Sequence, residues 1–213
     1  MDSELVHIPL DGASLEGELS APEEPAGLVV FAHGSGSSRF SPRNNYVAGI
    51  LREAGFATFL FDLLTESEDR LYANRFDIDL LTQRLVIAVR WMRGKKQIGN
   101  LPVGLFGAST GAAAALGAAA GLGDAVRAVV SRGGRPDLAM EQLPQVEVPT
   151  LLIVGGLDTQ VIELNREAYG QLGGPASLEI VPGATHLFEE EGKLEQVASL
   201  AADWFRQYLR LAS

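Results

Sequence analysis

The sequence predicts an α/β fold, a parallel sheet covered by helices on both faces. Short apolar runs recur along the chain, as strands buried on both faces require. Stretches of helical period separate them, and glycines, prolines and capping residues mark the switches.

The elements follow in order. Two alternating segments, residues 5–10 and 14–20, flank Asp11-Gly12, a dipeptide suited to the positive φ of a tight turn, so an antiparallel hairpin opens the fold. An acidic, turn-rich connector at 21–26 leads to the first fully apolar strand, 28–32. Ser41 as N-cap and Pro42 as first helical residue start a helix that Gly55 stops after about Ala54. Residues 56–61 form the next strand and 78–93 an amphipathic helix. Strands are expected at 103–106, 126–130, 151–154 and 178–181, with helices at 110–120, 160–172 and 191–211. The alanine-rich stretch 107–123 is too short for the roughly 20 apolar residues that span a bilayer and reads as a buried helix packed closely on the sheet.

Composition narrows the function. A chain of 213 residues, 46% hydrophobic and 21% charged, has the makings of one globular domain over 1–213, with no insertion long enough for a separate lid. The net charge of −10 argues against nucleic acid, whose phosphates demand clustered Lys and Arg; the basic clusters at 90–96 and 132–135 are short. With no cysteine, disulfides, thiolate metal sites and a Cys nucleophile are excluded, and three histidines leave few ways to build a His-rich metal cage. Residues 1–7 lack a basic and apolar leader, so a cytoplasmic location is expected.

The most informative segment is 101–116, where Gly107-Ala-Ser109-Thr-Gly111 stands between an apolar strand and an alanine-rich helix. That is the setting of a nucleophile elbow. The glycines let neighbouring backbone come close, Ser109 projects from the turn, and the helix N-terminus favours developing negative charge. The bland alternative is a capping serine with turn glycines.

A serine hydroxyl needs a base, usually a histidine held by a carboxylate. His7 lies in the hairpin and His33 follows strand 28–32. Elbows of this kind run Ser, acid, His along the chain, and only His186, between the last strand and the last helix, lies beyond Ser109. The acid belongs at the C-terminal end of an intervening strand, which selects Asp158 over Asp124, Asp137, Glu141, Glu147 and Glu163. The alternative role of Asp158 is to cap the following helix. The oxyanion requires two backbone N–H donors: Thr110, next to the nucleophile, and Ser35 in the His33-Gly34-Ser35-Gly36 loop, with Gly36 as the alternative. His33 reads as a loop-shaping residue. Arg39 and Arg43, beside that loop, suit an anionic substrate group or, equally, packing at the first helix. Segment 63–76 offers an apolar wall for a substrate or, more simply, a solvated acidic turn.

Taken together, the His-Gly loop, Gly-Ala-Ser-Thr-Gly, Gly-Gly-Leu-Asp and Gly-Ala-Thr-His, in that order, resemble the dienelactone hydrolase-like group of the α/β-hydrolase superfamily over nearly the whole chain. The resemblance implies an eight-stranded, mostly parallel sheet with one antiparallel strand, no obligatory cofactor or metal, and hydrolysis of carboxylic esters or lactones. Dienelactone hydrolases proper use a cysteine nucleophile where this chain has Ser109, so the resemblance implies ester chemistry rather than the dienelactone itself. The expected protein is a serine hydrolase of small esters with no nucleic-acid or membrane partner; the residues fix no oligomeric state. Two other classes compete. A nucleotide-binding domain lacks its Gly-x-Gly-x-x-Gly and Gly-Lys-Ser/Thr signatures here, and a non-catalytic binding protein of hydrolase fold would fail to react with a serine-directed fluorophosphonate.

Overall fold

A computed structural model describes residues 2–209. β1 (Asp2–Leu10) and β2 (Ala13–Ala21) pair antiparallel around the Asp11-Gly12 turn, in which Gly12 takes φ +72°. β3 (Leu28–Ala32), β4 (Ala57–Phe61), β5 (Val103–Ala108), β6 (Ala128–Arg132), β7 (Thr150–Gly155) and β8 (Ala176–Val181) follow. All join one eight-stranded sheet in the order β1-β2-β4-β3-β5-β6-β7-β8. β2 pairs antiparallel with both β1 and β4, and the pairs from β4 through β8 are parallel. Every residue of β3 to β7 is buried, whereas β2 alternates and the edge strand β8 is half-buried, as position in a two-layered sheet dictates.

The helices are α1 (Pro42–Glu53), α2 (Glu66–Asp69), α3 (Ile78–Arg93), α4 (Thr110–Leu122), α5 (Thr159–Tyr169) and α6 (Lys193–Tyr208). Successive strand residues point to opposite faces. Val29, Phe31, Phe106 and Val130 therefore meet Val47 and Leu51 of α1 and Val197, Ala201 and Phe205 of α6. Val30, Leu105 and Val129 meet Leu81, Leu85 and Val89 of α3 and the alanines of α4. Val161 and Ile162 of α5 cover Val154 near the β8 edge.

Several expected boundaries move. β6 begins at Ala128 rather than 126 because a 3-10 turn, Gly123–Ala125, precedes it, and it runs on through Arg132. α5 stops at Tyr169 where Gly170 caps it, and α6 begins at Lys193 because Gly192 takes φ +73°. The expected end of the last helix at residue 211 lies outside the described residues. Residues 136–145, where no element was expected, form a 3-10 segment broken at Ala139. Among the described residues no helix is long and apolar enough to cross a membrane.

Candidate active site

The parallel strands all end at one edge, and there the chain leaves β3 into His33, β5 into Ser109, β6 into Gly133 and β7 into Gly156. Loops carrying chemistry collect at that edge of an open α/β sheet.

Ser109 sits between β5 and α4 with φ +52° and ψ −120°, a conformation that costs a residue with a Cβ about 1–3 kcal/mol. It stands at the N-cap of α4, yet its side chain makes no capping bond. The hydroxyl is thus not committed to the helix. The flanking glycines make the turn possible: a Cβ on Gly107 would strike the Ala112 Cα, and one on Gly111 would strike the carbonyl oxygens of Ala32 and His33. The elbow is tied to β6, where the Arg132 carbonyl accepts the Ser109 N–H at 3.2 Å, and Ser109 O in turn accepts the Arg135 N–H at 3.1 Å.

His186 lies in the loop after β8. Its Nδ1 donates to Asp158 Oδ2 at 2.6 Å, which in the neutral ring puts the lone pair on Nε2. Asp158 is the N-cap residue of α5 but makes no side-chain capping bond. Its carboxylate, 17% exposed, is directed to the imidazole instead. Gly133 joins the two halves of the site. It follows Arg132, which holds the elbow, and a Cβ placed on it would lie 3.5 Å from Cε1 and Nδ1 of His186.

The loop after β3 packs on the elbow, since a Cβ on Gly34 would sit 3.1 Å from Ser109 Cβ. His33 fixes that loop. Its Nδ1 donates to the Gly34 carbonyl at 3.0 Å, while Nε2 accepts the Leu63 N–H at 3.0 Å, so both nitrogens are used in the neutral form. Burial lowers its pKa below the ordinary 6.5. His33 is a pin between two loops and has no nitrogen left for a base. The Ser35 amide reaches α4, donating to Thr110 Oγ1 at 2.8 Å.

The two arginines diverge. Arg39 pairs with Asp62 through Nη1 and with Glu16 through Nη2, so its guanidinium is already matched by carboxylates of β2 and of the loop after β4. These groups line a cavity of about 370 Å³ beside the loop after β3, and Ser109, Asp158 and His186 are not among its walls. Arg43 pairs with Glu189 at 2.8 Å, three residues beyond His186, and stays one-third exposed. Segment 63–76 is neither bare wall nor merely solvated turn. Thr65 and Glu68 form a capping box on α2, Glu68 binds Arg84, Asp69 binds Arg75, and Leu71, Tyr72 and Phe76 remain exposed.

Arg132 was hidden in the sequence within a short basic cluster. It is buried, donates to Asn44 Oδ1 at 3.3 Å, and leaves Nε without a partner. Burial, and then repulsion from Arg43, lowers its pKa to about 10. The available signal was period two: Arg132 follows Ala128 and Val130 onto the inward face of β6.

The family model described as the dienelactone hydrolase family matches residues 15–211. The chain belongs to that family. A dienelactone hydrolase structure from Anabaena variabilis is 52% identical over 98% of this chain and 99% of its own, with a TM-score of 0.95. An α/β serine hydrolase without lid from Xanthomonas campestris, 22% identical over 100% of this chain and 97% of its own, superposes with a TM-score of 0.80 and shares the fold. Two Mycobacterium tuberculosis proteins, provisionally named phosphoribosyl transferases, are 61% identical over 91% of this chain. The chain spans only 44% of the length of those relatives. Membership of the dienelactone hydrolase family and the superposition on these structures give the chain the α/β-hydrolase fold.

Proposed function

We propose that the protein hydrolyses carboxylic esters or lactones of small molecules through Ser109, His186 and Asp158. The observation that carries this reading is a pair of N-cap side chains, Ser109 and Asp158, that leave their helices uncapped while the second binds His186 at 2.6 Å. His186 Nε2 takes the Ser109 proton as Oγ attacks the ester carbonyl carbon, and the carbonyl π electrons move to oxygen. The backbone N–H of Thr110 receives that oxyanion, with the Ser35 amide, bonded to Thr110 Oγ1 at 2.8 Å, beside it. Collapse expels the alcohol, which His186 protonates, and water activated by the same nitrogen releases the acid. Asp158 holds the imidazole in the required tautomer and offsets its charge.

The name carried by the Mycobacterium relatives concerns proteins of which the matched part is less than half, whereas the family match covers most of this chain, which favours hydrolysis over transfer. Exposed Leu71, Tyr72, Leu157 and Leu187 support small apolar acyl groups. Arg43, one-third exposed, paired among the described residues with Glu189 alone and backed by the underpartnered Arg132, is the better of the two predicted arginines for an anionic group, since Arg39 has two carboxylates of its own.

A panel of p-nitrophenyl and lactone substrates varied in acyl length and charge tests the reading. Turnover of short esters by the wild type and its loss in Ser109→Ala are expected, with Arg43→Ala losing preference for anionic acyl groups. Equal rates in wild type and Ser109→Ala would refute it.

A further inference from the structure

The Ser35 amide, the second expected oxyanion donor, is already bonded to a side chain: Thr110 Oγ1 accepts it at 2.8 Å. Thr110 is 3% exposed and begins α4, so its own N–H is one of the helix donors without an intrahelical partner. A hydroxyl has one proton and two lone pairs. One lone pair is occupied by Ser35, and among the described residues its proton has no acceptor.

We infer that the Thr110 hydroxyl is itself an oxyanion-hole donor, receiving the Ser35 N–H and passing its own O–H to the substrate oxyanion. This rests on the ester-hydrolase reading and adds a residue to it. The amide polarises the hydroxyl through the shared bond, so the O–H donates more strongly as negative charge develops on the substrate oxygen. No proton is transferred at this step. The Ser109 proton goes to His186, and Thr110 contributes a hydrogen bond that forms fully only once the carbonyl has become tetrahedral. The loop after β3 then acts on the reaction through α4, and the position after the nucleophile supplies two donors, N–H and O–H.

The opposite role is equally definite: the hydroxyl would plug the Ser35 amide and have to leave before substrate enters. The two predict opposite signs. Thr110→Val, which preserves shape and removes the hydroxyl, and Thr110→Ser, which retains it, are compared with wild type in p-nitrophenyl acetate kcat and KM and in inhibition by an aryl trifluoromethyl ketone, whose hemiketal presents an oxyanion. Thermal unfolding of each variant is recorded alongside. We expect Thr110→Val to lose about 10²-fold in kcat with KM little changed, to lose ketone affinity in parallel, and Thr110→Ser to restore most of both. A Thr110→Val enzyme as fast as wild type or faster, or one whose ketone affinity is unchanged, overturns the inference. Equal losses in the valine and serine variants also overturn it. A wild type that neither turns over the ester nor binds the ketone overturns the underlying function, and an active wild type with an unimpaired valine variant overturns this inference alone.

Discussion

Replacing Gly111 and Gly121, both in α4, by alanine should produce opposite results. Helix propensity favours alanine over glycine by about 1 kcal/mol at either site. Gly121 is open, with nothing within 4 Å of an added Cβ, so the variant should gain about 0.5–1 kcal/mol. At Gly111 the Cβ would stand 2.5 Å from the His33 carbonyl oxygen and closer still to that of Ala32, inside the 3.0 Å that such atoms keep. Both obstacles are backbone, so β3 and α4 must separate. Overpacking of this kind costs about 1–3 kcal/mol, and rigid neighbours place it at the upper end, leaving a net loss of about 1–2 kcal/mol after the propensity gain. For a chain of this size each kcal/mol moves Tm by about 2–4 °C. The displaced residues also carry the oxyanion loop, and a 1 Å misplacement can cost about 10²-fold in rate. Thermal unfolding and p-nitrophenyl acetate kcat/KM should therefore show Gly121→Ala slightly more stable and fully active, with Gly111→Ala both less stable and crippled. A Gly111→Ala protein with wild-type Tm and wild-type kcat/KM would refute the close approach of α4 to β3.

Other consequences are as specific. Asp158→Asn keeps the packing but loses the charge and the tautomer control, so kcat should fall about 10³–10⁴-fold, and a fall under tenfold would contradict the role given to Asp158. Ser109→Gly relieves the positive φ and should raise stability by about 1–2 kcal/mol in urea unfolding while abolishing turnover. The folded-state pKa of His33 lies below 6.5, so its contribution to stability is complete above pH 6.5 and declines as pH falls towards the folded value. The wild-type urea midpoint should accordingly drop more on acidification than that of His33→Asn, and parallel pH profiles would contradict the pinned neutral imidazole. Arg132→Met removes a buried cation that has no carboxylate partner among the described residues and should add about 1–3 kcal/mol; destabilisation would mean that the guanidinium is better compensated than its contacts indicate.

How much of this was legible in the sequence depended on whether the cause was local. Apolar runs marked β3 to β7 and placed Ser109 between a strand and a helix, and the scarcity of histidine singled out His186. Asp158 followed from its position after β7, and the structure adds that its carboxylate binds His186 rather than capping α5. Contacts between distant segments were not legible. Arg39 looked available because its partners Asp62 and Glu16 lie 23 residues away in either direction. Arg132 looked like surface charge because β6 was expected to end at 130, and two further strand residues turn it inward beneath Asn44. The Ser35 amide looked free because a side chain 75 residues downstream accepts it. The 3-10 segment Pro136–Gln145 escaped notice because it is broken at Ala139 and contains Pro144, so no helical period develops.

The most direct test of Ser109 as an activated nucleophile is intact mass spectrometry after incubation with a fluorophosphonate, followed by peptide mapping. A single adduct on Ser109 is predicted, formed rapidly by the wild type, much more slowly by His186→Ala, and not at all by Ser109→Ala. An unmodified wild type, or an adduct that persists in Ser109→Ala, would contradict it.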